Sequence, residues 1–293
     1  MGMPDQIVLR QLLYAFMLLY SNMAQYQADR GLIAMKNKDS AGFTLLEMSL
    51  VLLVIGLIIG GMLLGKSLLT TSRLQTVISD ADSYITAVAN FKQTYQALPG
   101  DIPTASSLWG LDSSCGGSTT GTCNGDGNGQ IGNASYEYEV FRLWQHLSLA
   151  GMFSQHMSGS ATTGGVYSGT IGVNLPTGSI SGGGFYMVWK GTIGSGDANY
   201  YFSGAPSQFF GHTLIFGSAY TNAGTSGPIL TADQASSIDS KIDDGVPSTG
   251  KVRAPMPSAA IAPSCTVSPS ASVYTYNITV SGNLCPVIFI TGY

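Results

Sequence analysis

This chain is short of charge. Asp, Glu, Lys and Arg make up 10% of its 293 residues, against about 25% in an ordinary soluble domain. The net charge of −4 offers no basic surface for a phosphate backbone, so nucleic acid is not an expected partner. Histidine (3) and cysteine (4) are sparser still. No two cysteines have the C-x-x-C spacing and no histidine flanks one, which argues against a zinc site. His146, His156 and His212 stand apart from one another and read as packed or surface residues. Also missing are G-x-S-x-G, H-E-x-x-H and a phosphate-binding glycine loop with its Lys, which removes the common hydrolase, metalloprotease and nucleotide-binding constellations. An enzyme is not expected.

The scarcity of charge becomes complete in one place. Residues 48–65 contain no Asp, Glu, Lys or Arg, and at a helical rise of ~1.5 Å per residue this run nearly spans a ~30 Å hydrocarbon core. It reads as a membrane helix. At its mouth stands a single carboxylate, Glu47. A charge at the centre of a membrane helix costs roughly 2.5–3.5 kcal/mol and less toward an end, so Glu47 calls for a partner or a task. Lys36 and Lys38 precede the run, which fits the positive-inside rule.

Ahead of the run the sequence is Ser40-Ala41-Gly42-Phe43-Thr44-Leu45-Leu46-Glu47. A small-residue pair ending in Gly42, then Phe-Thr-Leu-Leu-Glu, then the apolar run, resembles the cleavage and methylation site of type IV prepilins and type II secretion pseudopilins. The resemblance implies that a prepilin peptidase cuts after Gly42 and methylates the new amino terminus, making Phe43 the first residue of the mature chain. The physical logic stands independently: an ammonium on Phe43 and the carboxylate of Glu47 cannot sit alone in lipid, and one subunit's carboxylate can neutralise a neighbour's amine during assembly. The resemblance is specific over about residues 36–96 and loose beyond.

The implied organisation has three parts. Residues 1–42 are a leader, within which Met35 begins a short, net-basic segment (35–42) of the usual prepilin kind. Residues 1–34, with an apolar stretch interrupted by Arg10, read as an upstream start-site artefact. Residues 43–97 form the N-terminal helix, its transmembrane part at 43–65, and residues 98–293 a globular head.

After Gly65 the pattern turns amphipathic. Leu74, Val77, Ile78, Ala81, Ile85, Val88, Phe91 and Tyr95 recur at three- and four-residue spacing, so the helix continues to about Ala97 before Pro99-Gly100 stops it. Gly56/Gly60 and Gly61/Gly65 are four apart, a spacing that allows close helix approach but is also common in any membrane helix. Type IV pilins often carry Pro where this chain has Leu64.

In the head, Phe185-Tyr186-Met187-Val188-Trp189, Tyr200-Tyr201-Phe202, Thr213-Leu214-Ile215-Phe216 and residues 273–280 are β-branched and aromatic runs between turn formers, the signature of an antiparallel sheet. Long Gly-rich loops separate them. A helix over about 135–150 carries Val140, Leu143, Trp144 and Leu147 on one stripe. Thr231-Ala232-Asp233-Gln234 is a capping box opening a helix that runs to about Ile242. The fold class is α+β and pilin-like: a long N-terminal helix packed on an antiparallel sheet.

Four cysteines allow three connectivities. Cys115 with Cys123 and Cys265 with Cys285 are local pairs, which an exported chain would close as a staple across a Gly/Thr loop and across a C-terminal hairpin. The second pair resembles the disulfide-bounded C-terminal region of type IV pilins. Asn124, Asp126 and Asn128, followed by Gln130 and Ile131, match the first half of an EF-hand-type calcium loop, Gln130 offering its carbonyl. Ser135 stands where a bidentate Glu is expected, leaving Glu137 or Glu139 to supply that ligand. The same loop reads equally as Gly/Asn-rich and ion-free. Asp239, Asp243 and Asp244 before Gly245 are either a second cation site or solvated acids at a glycine-capped helix end.

The expectation is a structural subunit of a type IV pilus or type II secretion pseudopilus, held in the bacterial inner membrane by one span and then assembled with homologous subunits by an inner-membrane platform. Its head would face the periplasm or the cell surface. The alternative is a minor or tip pilin whose large head binds a surface or an exported substrate.

Overall fold

The computed structural model describes residues 45–112, 122–132, 139–160, 169–193, 208–219, 224–255, 264–270 and 273–293. The leader, Gly42, Phe43, Cys115, Glu137 and the expected strand at 200–202 lie outside them.

Helix α1 runs from Leu45 to Tyr95, about 77 Å at the standard rise. Its first half is apolar on every side and uncovered: Leu46 is 79% exposed, Leu57 76% and Leu64 70%. By length and composition it is long and apolar enough to cross a membrane. The one hydroxyl in the uncharged run, Ser49, donates to the carbonyl of Leu46 at 2.8 Å, so the run's one side-chain hydroxyl is satisfied within the helix. Compactness divides the chain inside α1, after Thr70.

In the second unit, Leu74, Val77, Ile78, Ala81, Val88 and Phe91 are buried on one stripe, with Tyr84, Ile85 and Tyr95 half-buried beside them. Their spacing brings one face of the helix onto the head. The helix stops at Tyr95, two residues short of the expected Ala97, because Gln96 takes a left-handed backbone (φ 55°). Two helices follow: α2 (Ala105–Trp109) and α3 (Glu139–Leu149). Val140, Leu143, Trp144 and Leu147 of α3 are fully buried. Tyr84 ties three elements together, meeting Trp144, Phe153 and Phe185 edge-on at 5.2, 5.6 and 5.0 Å. Removing an aromatic from such a cluster costs about 3–5 kcal/mol.

Strands β1 (Gly183–Ile193) and β2 (Gln208–Ser218) pair antiparallel with Phe185 opposite Phe216 and Met187 opposite Leu214. After α4 (Ala232–Ile242) come β3 (Val252–Arg253), the hairpin β4 (Thr266–Ser270) and β5 (Val273–Tyr276), and β6 (Val287–Ile290). The sheet order is β1-β2-β6-β3, all antiparallel, with β4-β5 as a separate pair. This is the α+β, pilin-like layout the sequence implied. Both faces of β1 are buried over its first six residues. Phe185 lies under α1, while Tyr186 on the other face packs against Gly224, where a Cβ would come within 2.2 Å of the ring.

Helix α4 opens as expected. Thr231 accepts from the N–H of Gln234 at 3.2 Å, and Gln234 accepts in return from the N–H of Thr231 at 3.0 Å. The run at 273–280 is a strand only to Tyr276. Asn277 then turns the chain, its oxygen accepting from Thr279 at 3.0 Å and its amide donating to Ser264. A disulfide ties Cys265, at the base of the β4-β5 hairpin, to Cys285 just ahead of β6. Closing a loop of 20 residues restricts the unfolded chain by about 3 kcal/mol. Cys123 is also disulfide-bonded.

Candidate functional site

Three carboxylates converge where α1 gives way to the head. After Gln96, Leu98-Pro99-Gly100 turns the chain against the first turn of α3. Gly100 has φ 90° and lies so close that a Cβ would be 2.5 Å from the carbonyl oxygen of Glu139. Its N–H donates to Nδ1 of His146 at 2.8 Å, and Nε2 of His146 in turn donates to the carbonyl of Cys123 at 2.8 Å. The ring is buried and packed near Phe91 and Trp109. Burial lowers its pKa to about 4, against a small upward pull from the Cys123 carbonyl. His146 is therefore a neutral clamp with both nitrogens in use. His212 plays a similar part, accepting from Ile131 N–H and donating to the Tyr293 carbonyl, whereas His156 is exposed.

That clamp places Asp101, which is 3% exposed, over the loop 122–132. Its two carboxylate oxygens accept the N–H groups of Asn128 (3.0 Å) and Gly129 (2.9 Å), and its carbonyl accepts Gly127 N–H. Gly125 comes so near the Asp101 backbone that a Cβ there would lie 2.3 Å from its carbonyl carbon. Glu139, fully buried, accepts from the N–H of Asp126 (2.9 Å) and of Gly132 (3.1 Å) with separate oxygens. One oxygen each of Asp101, Asp126 and Glu139 lies within 4.8 Å of the others. Burial raises the Glu139 pKa to about 7, and the charges of Asp126 and Asp101 add to the rise. Burial likewise raises Asp101. Such a cluster has the oxygen chemistry to hold a hard cation.

The loop's other expected ligands are engaged locally. Asn124 accepts from Ser106 N–H at 2.7 Å near the start of α2, and its carbonyl accepts from Arg142. Asn128 accepts from the N–H of Gln130 at 2.7 Å and donates its amide to Asp126. Of the sequence-predicted set, Asp126 and Glu139 meet, and Asp101 joins them from a distant turn. The sequence signal for Asp101 was modest: an acid directly after Pro-Gly in a chain almost without acids.

The second acidic group has a structural use. Asp239 accepts from the Tyr276 hydroxyl at 2.7 Å and from Gly245 N–H. Asp243 accepts from the N–H groups of Lys251 and Val252, and Asp244 from Val246 N–H and the Thr249 hydroxyl. Arg253, which donates to the carbonyls of Gly250 and Ser248, supplies positive charge close enough to act on Asp244. These acids close the loop from α4 to β3.

At the other end of α1, Glu47 is an exposed residue of the first helical turn. Residues 37–63 match the family model described as the prokaryotic N-terminal methylation motif. No curated protein and no solved structure matches the chain.

The Glu139 shift sets a pH signature. A carboxyl whose folded pKa lies above its unfolded value of 4.5 contributes stability that is complete below 4.5 and lost as pH rises through about 7. Glu139→Gln gives up one of two acceptors, a cost of about 1–3 kcal/mol at pH 5. In the presence of chelator the melting gap between this variant and wild type should narrow from pH 5 to pH 8. A gap independent of pH contradicts the assignment.

Proposed function

Because residues 37–63 carry the prepilin-type signal and make the chain type IV pilin- or pseudopilin-like, we propose that it is a filament subunit. In this reading it is stored in the inner membrane, cleaved between Gly42 and Phe43, and drawn into a helical assembly through α1. The observation that carries the proposal is the coincidence of that signal with an uncharged helix whose first turn bears one carboxylate, Glu47. The leader (1–42) stays in the cytoplasm, the helix spans the membrane, and the head (98–293) faces the periplasm and then the cell surface. The partners are prepilin peptidase, the assembly platform and homologous subunits, and the role is structural rather than enzymatic. The large head, residues 98–293, favours a minor or tip position in which the same domain binds a surface or an exported substrate.

Glu47→Gln and Glu47→Ala test this reading. Both variants should still insert and be cleaved, since each makes the segment less polar, but both should be depleted from sheared filaments. Normal incorporation of the Glu47→Ala protein rules out a charge-pairing role.

The acidic cluster supports calcium as the ion of the head, held by Asp101, Asp126 and Glu139 with backbone carbonyls of the loop 122–132. Calcium accepts this all-oxygen set, and binding requires Glu139 to lose its proton. An ion bound only by the folded state raises the melting midpoint. For the full-length protein in detergent, millimolar calcium should raise the midpoint over chelator, and more at pH 8 than at pH 5.5. Asp101→Asn and Asp126→Asn should abolish the rise. An unchanged wild-type midpoint removes the site.

A further inference from the structure

Along the exposed side of α1, in the second unit, lies a groove of about 750 Å³. Asp80, Ser83 and Tyr84 of the helix form one wall, and Phe153, Gln155 and Ser179 of the facing loops form the other. Asp80 is the groove's one ionisable group besides Tyr84, and it is half-buried. Among the described residues it has neither a hydrogen-bond nor an ion-pair partner, and burial pushes its pKa up. Burial raises Tyr84 too, with Asp80's charge as the second cause. A carboxylate drawn partly out of water with no counter-charge is costly unless a partner arrives.

Seven residues earlier on the same helix, Arg73 is exposed, and among the described residues its side chain has no hydrogen-bond or ion-pair partner. Only its backbone is engaged, accepting from the Ser179 hydroxyl at 2.9 Å. Arg73 and Asp80 are about 10.5 Å apart along the axis, too far to pair within one chain. The groove has what a guanidinium uses: a carboxylate, hydroxyl and amide oxygens, and the faces of Tyr84 and Phe153 for stacking.

We propose that the groove receives Arg73 of a second copy of this chain, pairing with Asp80. Each copy then offers Arg73 to one neighbour and Asp80 to another. Such a head-to-tail contact is heterologous and propagates as an open filament rather than closing as a dimer. For parallel α1 helices it fixes the axial step between paired copies at about 10.5 Å, the rise of seven helical residues. This inference rests on the filament reading and specifies its register.

The test is charge exchange in the full-length chain expressed in its own assembly system. Arg73→Asp and Asp80→Arg should each lower incorporation into sheared filaments by about tenfold, the scale of one coupled contact, and the double exchange should restore it. Alongside, chains carrying Arg73→Cys and chains carrying Asp80→Cys, separately tagged and mixed, should be joined by a short bis-maleimide as the mixed pair and not as either like pair. If wild type assembles while the single exchanges assemble equally well, or the double exchange fails to rescue, or the like pairs crosslink instead, the register is wrong and the filament reading survives. Recovery of the groove crosslinked to an unrelated basic protein also overturns it. If wild type enters no filament, the filament reading fails and takes this inference with it.

Discussion

The constraint on which the rest of the molecule depends is that residues 48–65 carry no charge and must not face water. Over residues 48–65 the uncovered surface of α1 is apolar except for Ser49, and includes Leu50, Leu57 and Leu64. Its backbone is satisfied within the helix, and its single hydroxyl bonds back to Leu46. Such a surface has two stable environments, lipid and the equivalent surfaces of other helices. A filament subunit exchanges the first for the second. Gly56, Gly60, Gly61 and Gly65 have no atom of the described chain near their would-be Cβ positions, which leaves room for another helix to approach closely there.

The second half of the same helix meets the opposite condition, with one stripe sealed into the head and another left to polar side chains. The sealed stripe ends at a junction tied by several buried hydrogen bonds. His146 joins the Gly100 turn to Cys123, Asp101 gathers the N–H groups of Asn128 and Gly129, and Glu139 gathers those of Asp126 and Gly132. Burial raises the pKa of Glu139, and the neighbouring charges of Asp126 and Asp101 add to the rise. A chain so sparing of charge nevertheless places three carboxylates here. Asp239, Asp243 and Asp244 form a comparable cluster: backbone N–H groups, the Tyr276 hydroxyl and the charge of Arg253 support it, while burial raises the pKa of Asp239 to about 6.

What sequence could reveal was local. The buried stripe from Leu74 to Phe91 was legible because helical periodicity is a short-range signal, and the start of α4 because the capping box of Thr231 and Gln234 lies within one turn. The Phe185 and Thr213 runs declared themselves as strands through β-branched and aromatic content. The Cys265–Cys285 closure was legible as one of two local cysteine pairs. What stayed hidden involved distant partners or single backbone angles. Asp101 reaches its loop across 27 residues, with no periodicity to announce it. The end of α1 at Tyr95 hangs on the left-handed Gln96, and the strand after Val273 stops because Asn277 finds Thr279 and Ser264. The groove at Asp80 needs the loops at Phe153 and Ser179 to exist at all.

The central claim is that the apolar helix begins, in the mature chain, with an ammonium four residues ahead of Glu47, as the methylation motif at residues 37–63 implies. Mass spectrometry of the amino-terminal peptide from membrane-purified protein measures this directly. The account predicts a chain that starts at Phe43 with a methyl group on its nitrogen, and a precursor only when Gly42 is replaced by a bulky residue. A membrane-bound chain that retains Gly42 at full expression of the peptidase contradicts it.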